Sequence, residues 1–182
     1  GLVLGVAGHE QDPHSGDDGL RIQASDTALG AHAIQDGQPS YIGHRLQHHQ
    51  ASMEATLDPS ALESGELAGL ALVQNERHHL VAGVERRDAD HADLVLYLRA
   101  GKDDPVRGRE LARKPLASPS QTVSFRLRLD APRLDVDYST QTDAWQSLGE
   151  NLDASLLSVD TAGGFIGNTF GPYVVRQAAT QD

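Results

Sequence analysis

The pattern of apolar and polar side chains is most regular between residues 123 and 138. Apolar side chains occupy every second position of residues 123–129, and serine or arginine occupies the positions between them. An Asp-Ala-Pro sequence suited to a turn follows at residues 130–132, and the alternation resumes over residues 134–138. Strict alternation is typical of a strand with one buried and one solvent-exposed face. We therefore predict an antiparallel hairpin.

The polar face of this hairpin carries complementary charges. Arg126 and Arg128 lie on the first strand, and Asp135 and Asp137 occupy the matching positions of the second strand. Opposite charges that face each other across two strands favour one register. Because the alternation places all four side chains on the solvent side, we expect the pairs to be exposed and to add little stability.

Short apolar or alternating runs continue through the rest of the chain, without the period of an ordinary helix and without an internal repeat. Glycine (18) and proline (8) are frequent and aromatic residues make up only 4%, which suits short strands joined by turns. We predict about twelve strands in an all-β, two-sheet antiparallel β-sandwich. Residues 107–114 form either a short helix or an edge strand. The other predicted strands cover residues 2–6, 20–24, 29–34, 44–57, 68–74, 80–84, 94–98 and the end of residues 163–175.

One predicted strand, residues 44–57, changes character along its length. The parity that contains Arg45, Gln47 and His49 is polar at first and becomes apolar from Ala51 onward. A single long strand with this pattern would cover the core with its second half and present hydrogen-bonding groups with its first half. The alternative is a bulge, or a strand that runs past the core.

Length and charge limit the classes of function. A chain of 182 residues suits one domain, so we expect a single sandwich over residues 1–182, in which residues 1–18 form an N-terminal strand and loop. The formal net charge of -11, without a basic patch, disfavours nucleic acid and anionic membranes as partners. The absence of cysteine excludes disulfides and thiolate metal sites. Since the sequence begins without methionine, we expect it to be part of a longer or processed protein.

Two groups of side chains invite a metal interpretation. The loop at residues 9–19 is acidic but lacks the spaced oxygen ligands of a calcium loop, so a solvated turn is the expectation. Histidines occur at His44, His48 and His49 and again at residues 78–79. On a strand, His44 and His48 would lie about 13 Å apart, and the neighbours His48 and His49 would point to opposite sides. We therefore predict no cofactor and no metal, with a structural calcium or zinc ion as the alternative.

The sequence contains no signature of catalysis. It lacks the Gly-x-Ser-x-Gly, Gly-x-x-x-x-Gly-Lys, His-Glu-x-x-His and dinucleotide-binding motifs. Carboxylates are abundant, but no pair is singled out as the acid and base of a glycosidase. The sequence therefore does not predict that this chain is an enzyme by itself.

Four segments carry a family resemblance: Gly-His-Arg-Leu-Gln-His at residues 43–48; Ala-Gly-Leu at 68–70 with Gln-Asn-Glu at 74–76; Tyr-Ser at 138–139 with Trp145 and Leu-Gly at 148–149; and Gly-Phe-Ile-Gly at 164–167 with Gly-Pro-Tyr at 171–173. In this order they resemble the C-terminal concanavalin A-like β-sandwich domain of glycoside hydrolase family 43 β-xylosidases, also classed as carbohydrate-binding module family 91. The resemblance extends from about Gly19 to the end of the chain. Leu46, Ile166 and Pro172 depart from the residues usual in the family.

The resemblance implies a concanavalin A-like jelly roll that assists a xylan-degrading enzyme. In that family the catalytic carboxylates belong to a five-bladed propeller that precedes the sandwich, so a propeller and a xylo-oligosaccharide or xylan are the implied partners. Phe165 matches an aromatic residue that reaches toward the sugar pocket. Arg45, Gln47, His49 and Gln74 are the implied contacts to sugar hydroxyls or to the neighbouring domain.

Each candidate also has a purely structural interpretation. In that interpretation Arg45 and Gln47 satisfy buried backbone or carboxylate groups, and Gln74 begins a turn. Trp145, the only tryptophan, is either a platform for a sugar ring or a cap on the core, and the core position is favoured. Phe165 lies among glycines and leaves both roles open. The functional expectation is an accessory carbohydrate-binding or active-site-shaping domain; the alternative is a structural or protein-interaction sandwich with no sugar site of its own.

Overall fold

The structure is a computed structural model of the chain, and it describes residues 2–7, 20–31, 38–46, 50–141, 144–157 and 168–176. Within these ranges the chain forms thirteen strands and three short 3-10 turns, at Leu29–Ala31, Pro59–Ala61 and Ala154–Leu157, and no α-helix. The all-β prediction is confirmed. The strands are β1 (Leu2–Ala7), β2 (Leu20–Ile22), β3 (Ser40–Tyr41), β4 (His44–Arg45), β5 (Gln50–Asp58), β6 (Glu66–Asn75), β7 (His78–Arg86), β8 (Ala92–Ala100), β9 (Arg109–Pro115), β10 (Val123–Asp130), β11 (Arg133–Ser139), β12 (Gln146–Asp153) and β13 (Thr169–Arg176).

These strands form two sheets that pack face to face. Sheet A has the order β12-β11-β10-β5-β1-β2, and sheet B has the order β3-β13-β6-β7-β8-β9, with β4 also paired to β13. The pairings between the named strands are antiparallel. The predicted two-sheet antiparallel sandwich is therefore confirmed.

The core lies between the sheets and follows the alternation in the sequence. On β10, Phe125 and Leu127 are buried, whereas Arg126 and Arg128 lie on the outer face of sheet A. The buried side chains of β10 join those of sheet B, such as Leu96 of β8, in one apolar cluster. Burial of apolar surface is the main favourable contribution to folding. The side of the hairpin that forms the core is thus the one that the pattern predicts.

β10 and β11 form the predicted hairpin with the predicted register. Arg126 lies opposite Asp137, and Arg128 lies opposite Asp135. The strands are joined by a turn that follows Asp130. The arginine and aspartate side chains form ion pairs across the strands, with 3.0 Å between Arg126 Nη2 and Asp137 Oδ2.

The expectation that these charges are exposed is wrong for the carboxylates. Asp135 and Asp137 are only 7% and 6% exposed, because arginine side chains lie across them. Asp137 Oδ2 accepts hydrogen bonds from Arg126 Nε at 3.1 Å and from Arg128 Nε at 2.9 Å. Burial acts to raise the pKa of Asp135, but the hydrogen bond from the Asn151 N–H and the nearby arginines outweigh it and hold this pKa below its ordinary value.

Replacing Asp137 by asparagine is expected to lower the free energy of unfolding by about 1–3 kcal/mol, since two guanidinium groups lose their charged acceptor. Urea unfolding of the variant measures the change. Asp103→Asn, at an exposed turn position, is the matched control and should change stability by less than about 0.5 kcal/mol. Equal effects of the two substitutions would contradict a structural role for the contacts of Asp137 with Arg126 and Arg128.

Residues 44–57 form two strands in different sheets. β4 covers His44 and Arg45 and pairs with β13 in sheet B, whereas β5 begins at Gln50 and pairs with β10 in sheet A. The chain therefore passes from one sheet to the other between Arg45 and Gln50. The prediction of one long strand is wrong, because the change of character in the pattern marks this crossing.

Sheet B is covered on its outer face as well. Leu67, Val81 and Val95 form a second apolar cluster with Leu29. The Leu29 N–H donates a hydrogen bond to Tyr173 Oη at 3.2 Å, which holds the turn against the sheet. β6 is consequently buried on both faces along most of its length, as its nearly continuous apolar sequence predicts.

The structure corrects the prediction for one further segment and decides between two alternatives for another. Residues 29–31 form a 3-10 turn where a strand over residues 29–34 was expected. This turn packs on the outer face of sheet B, where Leu29 is buried. Residues 107–114, expected as a helix or an edge strand, contain most of β9, which is the exposed edge strand of sheet B.

Candidate functional site

The structure describes two of the five predicted site residues. Arg45 ends β4 and is exposed, and Gln74 lies near the end of β6 and is half-buried. Gln47, His49 and Phe165 lie outside the described residues. Arg45 makes no ion pair with the described part of the chain.

Sheet B brings Arg45 and Gln74 to the same end of the sandwich. β13 lies between β4 and β6, and Thr169 at its start is opposite Arg45 on one side and Val73 on the other. Residues that oppose each other in antiparallel strands share a face of the sheet. Gln74 directly follows Val73. We call this end of sheet B the Arg45 edge. Tyr41, Arg45 and Thr169 share one face of it, whereas His44, opposite Phe170, belongs to the other face, and Gln74 lies at a register shift of β6.

A partly buried hydrogen bond between two hydroxyl groups supports the Arg45 edge. Tyr41 Oη donates a hydrogen bond to Thr169 Oγ1 at 2.9 Å. Burial raises the pKa of Tyr41 to about 12, although the hydrogen bond to Thr169 acts in the opposite direction. The phenol therefore stays protonated and remains a donor across the physiological pH range.

Close backbone contacts hold β4 against β13. A Cβ atom on Gly171 would lie 1.7 Å from the carbonyl oxygen of Ile42, so only glycine allows this approach. The Leu46 N–H donates a hydrogen bond to the carbonyl oxygen of Asn168 at 2.9 Å; Leu46 directly follows β4, and Asn168 directly precedes β13. Two of the segments that carry the family resemblance, around residues 43–46 and 171–173, are therefore joined in space.

The side chain of Gln74 is already engaged in a local contact. Its Oε1 atom accepts a hydrogen bond from Asn75 Nδ2. Asn75 Oδ1 in turn accepts from the Arg77 N–H at 2.9 Å, in the turn between β6 and β7. Gln74 thus takes part in the turn, which matches its structural interpretation, while Arg45 keeps all its donors free of described partners.

Trp145 does not cap the core, and the favoured expectation for it is wrong. It is half-buried and lies on the outer face of sheet A, with the Arg126 guanidinium carbon 4.2 Å from its ring centre. There it borders an open cleft of about 620 Å³. We call this the Trp145 cleft; its lining includes Glu54, Thr56, Ser124, Ser139, Gln141 and Trp145.

The pattern of the sequence contains part of the signal for this cleft. Thr56, Ser124 and Ser139 all occupy polar parities of their strands, so each is expected on an outer face. Their meeting depends on the pairing of β5 with β10, which joins residues more than sixty positions apart. No local pattern specifies that pairing.

Metal binding was the alternative for the acidic loop and for the histidines. In the described ranges no three side chains of the types that bind metal ions come together. The acidic loop at residues 9–19 and the residues His48 and His49 lie outside the description. His79 is buried, and its Nδ1 atom has no hydrogen-bond partner in the described part. No helix among the described residues is long and apolar enough to cross a membrane.

Comparison with known proteins identifies relatives of the chain. A family model described as the beta xylosidase C-terminal concanavalin A-like domain matches residues 12–182. A xylosidase/arabinosidase from Butyrivibrio fibrisolvens is 26% identical over 156 residues, which cover 85% of this chain and 28% of that protein.

Solved structures agree with the fold. A GH43_12 protein retrieved from a capybara gut metagenome superposes with a TM-score of 0.72 at 24% identity, over 88% of this chain and 29% of that one. A xylan beta-1,4-xylosidase from Bacillus halodurans C-125 gives a TM-score of 0.70 at 18% identity, over 88% of this chain and 30% of that one. The chain thus spans less than a third of the length of these relatives.

Proposed function

Because this chain belongs to the family of β-xylosidase C-terminal concanavalin A-like domains, we propose that it is an accessory domain of a xylan-degrading glycoside hydrolase of the β-xylosidase or arabinofuranosidase type. Its role is to bind xylo-oligosaccharide or xylan, or to shape the active site of a neighbouring domain. The names of its relatives support this substrate class. Its share of their length supports a separate catalytic domain, which we propose is a preceding five-bladed propeller.

The Arg45 edge is the observation that carries this proposal. β4 and β13 are locked together by the Gly171 contact and by the hydrogen bond between Leu46 and Asn168. This base presents the exposed side chain of Arg45, which has no partner among the described residues. A guanidinium group offers five donors in a fixed plane, which suits both sugar hydroxyls and the carboxylates of a partner surface.

Titration of the chain with xylotriose tests the binding role. We expect millimolar affinity in calorimetry and a weakening of about tenfold in Arg45→Ala, the loss of one charged hydrogen bond. Arg109→Ala is the matched control, because Arg109 is an exposed arginine on β9 at the opposite edge of sheet B. Equal affinities of the two variants would contradict a sugar contact at the Arg45 edge.

The shaping role is tested in the enzyme that carries this domain beside its catalytic domain. There Arg45→Ala should change KM for an aryl xyloside, whereas Arg109→Ala should not. Absence of both sugar binding and any effect on KM would leave the alternative, a structural or protein-interaction sandwich with no sugar site. Hydrolysis of a chromogenic xyloside by this chain alone would contradict the accessory role.

A further inference from the structure

The outer face of sheet A carries an ordered set of side chains that the Arg45 edge does not use. Ser124 lies opposite Thr56 of β5 on one side and opposite Ser139 of β11 on the other, so three hydroxyl groups form a row across three strands. The Thr56 and Ser124 hydroxyl oxygens are 2.8 Å apart and share a hydrogen bond. This row forms part of the lining of the Trp145 cleft.

The next row toward the middle of the sheet is charged. Arg126 lies between Glu54 of β5 and Asp137 of β11. Its Nε and Nη2 atoms donate to Asp137 Oδ2 at 3.1 and 3.0 Å, so its charge is matched on that side. Glu54 is half-buried in the lining of the cleft and makes no hydrogen bond or ion pair with the described residues. A carboxylate that has no partner among the described residues therefore borders the hydroxyl row.

Trp145 is held in place above these rows. The Arg126 guanidinium stacks on its ring at 4.2 Å, and Arg126 is itself fixed by Asp137. A cation over an indole face is a favourable contact that restricts the ring. The side chain stays half-buried at the edge of the cleft, so part of the indole remains accessible.

We propose that the Trp145 cleft is a carbohydrate-binding site for a neutral oligosaccharide. The accessible part of the indole packs against the C–H face of a sugar ring, and the Thr56 and Ser124 hydroxyls and the Glu54 carboxylate bond the sugar hydroxyls. The Ser139 hydroxyl already donates to the carbonyl oxygen of Gln141. The volume of about 620 Å³ falls in the range of small-molecule sites, about 300–1,000 Å³. The Glu54 carboxylate would repel an anionic ligand, and the Arg126 guanidinium on the indole ring would repel a cationic one, which favours an uncharged ligand.

This site is separate from the Arg45 edge. It lies on the outer face of sheet A, whereas the Arg45 edge belongs to sheet B. The choice of a xylo-oligosaccharide as the probe rests on the proposed function. The proposal of a binding cleft rests on the row of hydroxyls, the Glu54 carboxylate and the indole ring held by Arg126.

Titration of the chain with xylohexaose tests the cleft directly. Trp145 is the only tryptophan, so a saturable change in its emission is expected, and glycerol at equal osmolality should give none. In calorimetry Trp145→Ala should weaken binding by about tenfold or more, and Trp145→Phe should retain most of it because a flat ring remains. Thermal unfolding of each variant checks that it is folded.

A pair of serine variants keeps the test independent of the tryptophan. Ser124→Ala removes one hydroxyl of the row and should weaken binding about threefold to tenfold. Ser52→Ala removes an exposed hydroxyl from β5 outside the cleft and should have no effect.

The outcomes separate the cleft from the proposed function. Weaker binding in Trp145→Ala and Ser124→Ala, with a smaller change of Trp145 emission in Ser124→Ala, supports the cleft, whatever Arg45→Ala does to binding at the Arg45 edge. Unchanged binding in Trp145→Phe, Trp145→Ala and Ser124→Ala overturns it and leaves the Arg45 edge as the sugar site. Absence of any binding by the unmodified chain overturns the cleft, and the effect of Arg45→Ala on KM then decides the proposed function alone.

Discussion

Replacing Leu96 with alanine is expected to lower the free energy of unfolding by about 2–5 kcal/mol, the range for leucine truncations in packed cores. Leu96 lies at the centre of β8, is fully buried and points from sheet B into the core. Its Cδ2 atom lies 2.6 Å from the position that a Cβ on Gly149 of sheet A would occupy, so it contacts the opposite sheet. Truncation therefore leaves a cavity between the two layers. Urea unfolding measures the change.

The neighbouring strand offers a matched control for this truncation. Leu111 of β9 is 39% exposed, so Leu111→Ala removes the same atoms from a site that water already reaches. We expect that variant to lose less than about 1 kcal/mol. Similar losses in the two variants would contradict a core formed between the sheets.

Gly149 extends the same test to the opposite sheet. In the unmodified chain Gly149→Ala would crowd Leu96, which cannot move freely in a filled core, and is expected to cost about 1–3 kcal/mol. In the Leu96→Ala background the added methyl group enters the new cavity. The second substitution should then be neutral or stabilising, and additive losses would show that the two residues do not share a space.

The hairpin shows how much of the fold the sequence determines locally. Alternation and matched charges predict β10 and β11 with their register, because both strands and their turn lie within seventeen residues of the chain. What the pattern misses is the burial of Asp135 and Asp137. That burial depends on how far Arg126 and Arg128 extend over the sheet, which is a property of side-chain packing.

The crossing between β4 and β5 shows where local reasoning fails. A strand in sheet B followed by a strand in sheet A gives the same alternation of side chains as one long strand that is exposed in its first half and buried in its second half. The distinction depends on partners far along the chain, since β4 pairs with β13 and β5 pairs with β10. The Arg45 edge and the Trp145 cleft are both products of such long-range pairing.

The position of Trp145 follows from the same limitation. A single tryptophan after a hairpin is most often a core residue, and the local sequence contains nothing against that interpretation. Its actual contact is Arg126, a residue nineteen positions earlier on the outer face. The resemblance to known domains predicted the fold, but it did not predict which face the indole takes.

Lowering the pH from 6.5 to 4 is expected to destabilise the fold by roughly 3 kcal/mol through one side chain, His79. His79 is 1% exposed on β7. Burial lowers its pKa to about 4, and the positive charge of Arg99 acts in the same direction, while hydrogen bonds to the backbone of Asn75 and Glu76 act against it. Between pH 6.5 and 4 the unfolded chain binds a proton here that the folded chain does not. The free energy of unfolding therefore decreases as the pH is lowered from 6.5 to 4. Above pH 6.5 His79 has almost no effect on it.

Substitution of the histidine isolates its contribution. His79→Leu removes the titrating group, so the slope of unfolding free energy against pH between 4 and 6.5 should fall by up to about 1.4 kcal/mol per pH unit relative to the unmodified chain. Carboxylates such as Asp135, whose pKa lies below its ordinary value, lose their contribution only at more acidic pH. Identical slopes in His79→Leu and the unmodified chain would mean that His79 is protonated in the folded state, and would contradict its burial as a neutral ring.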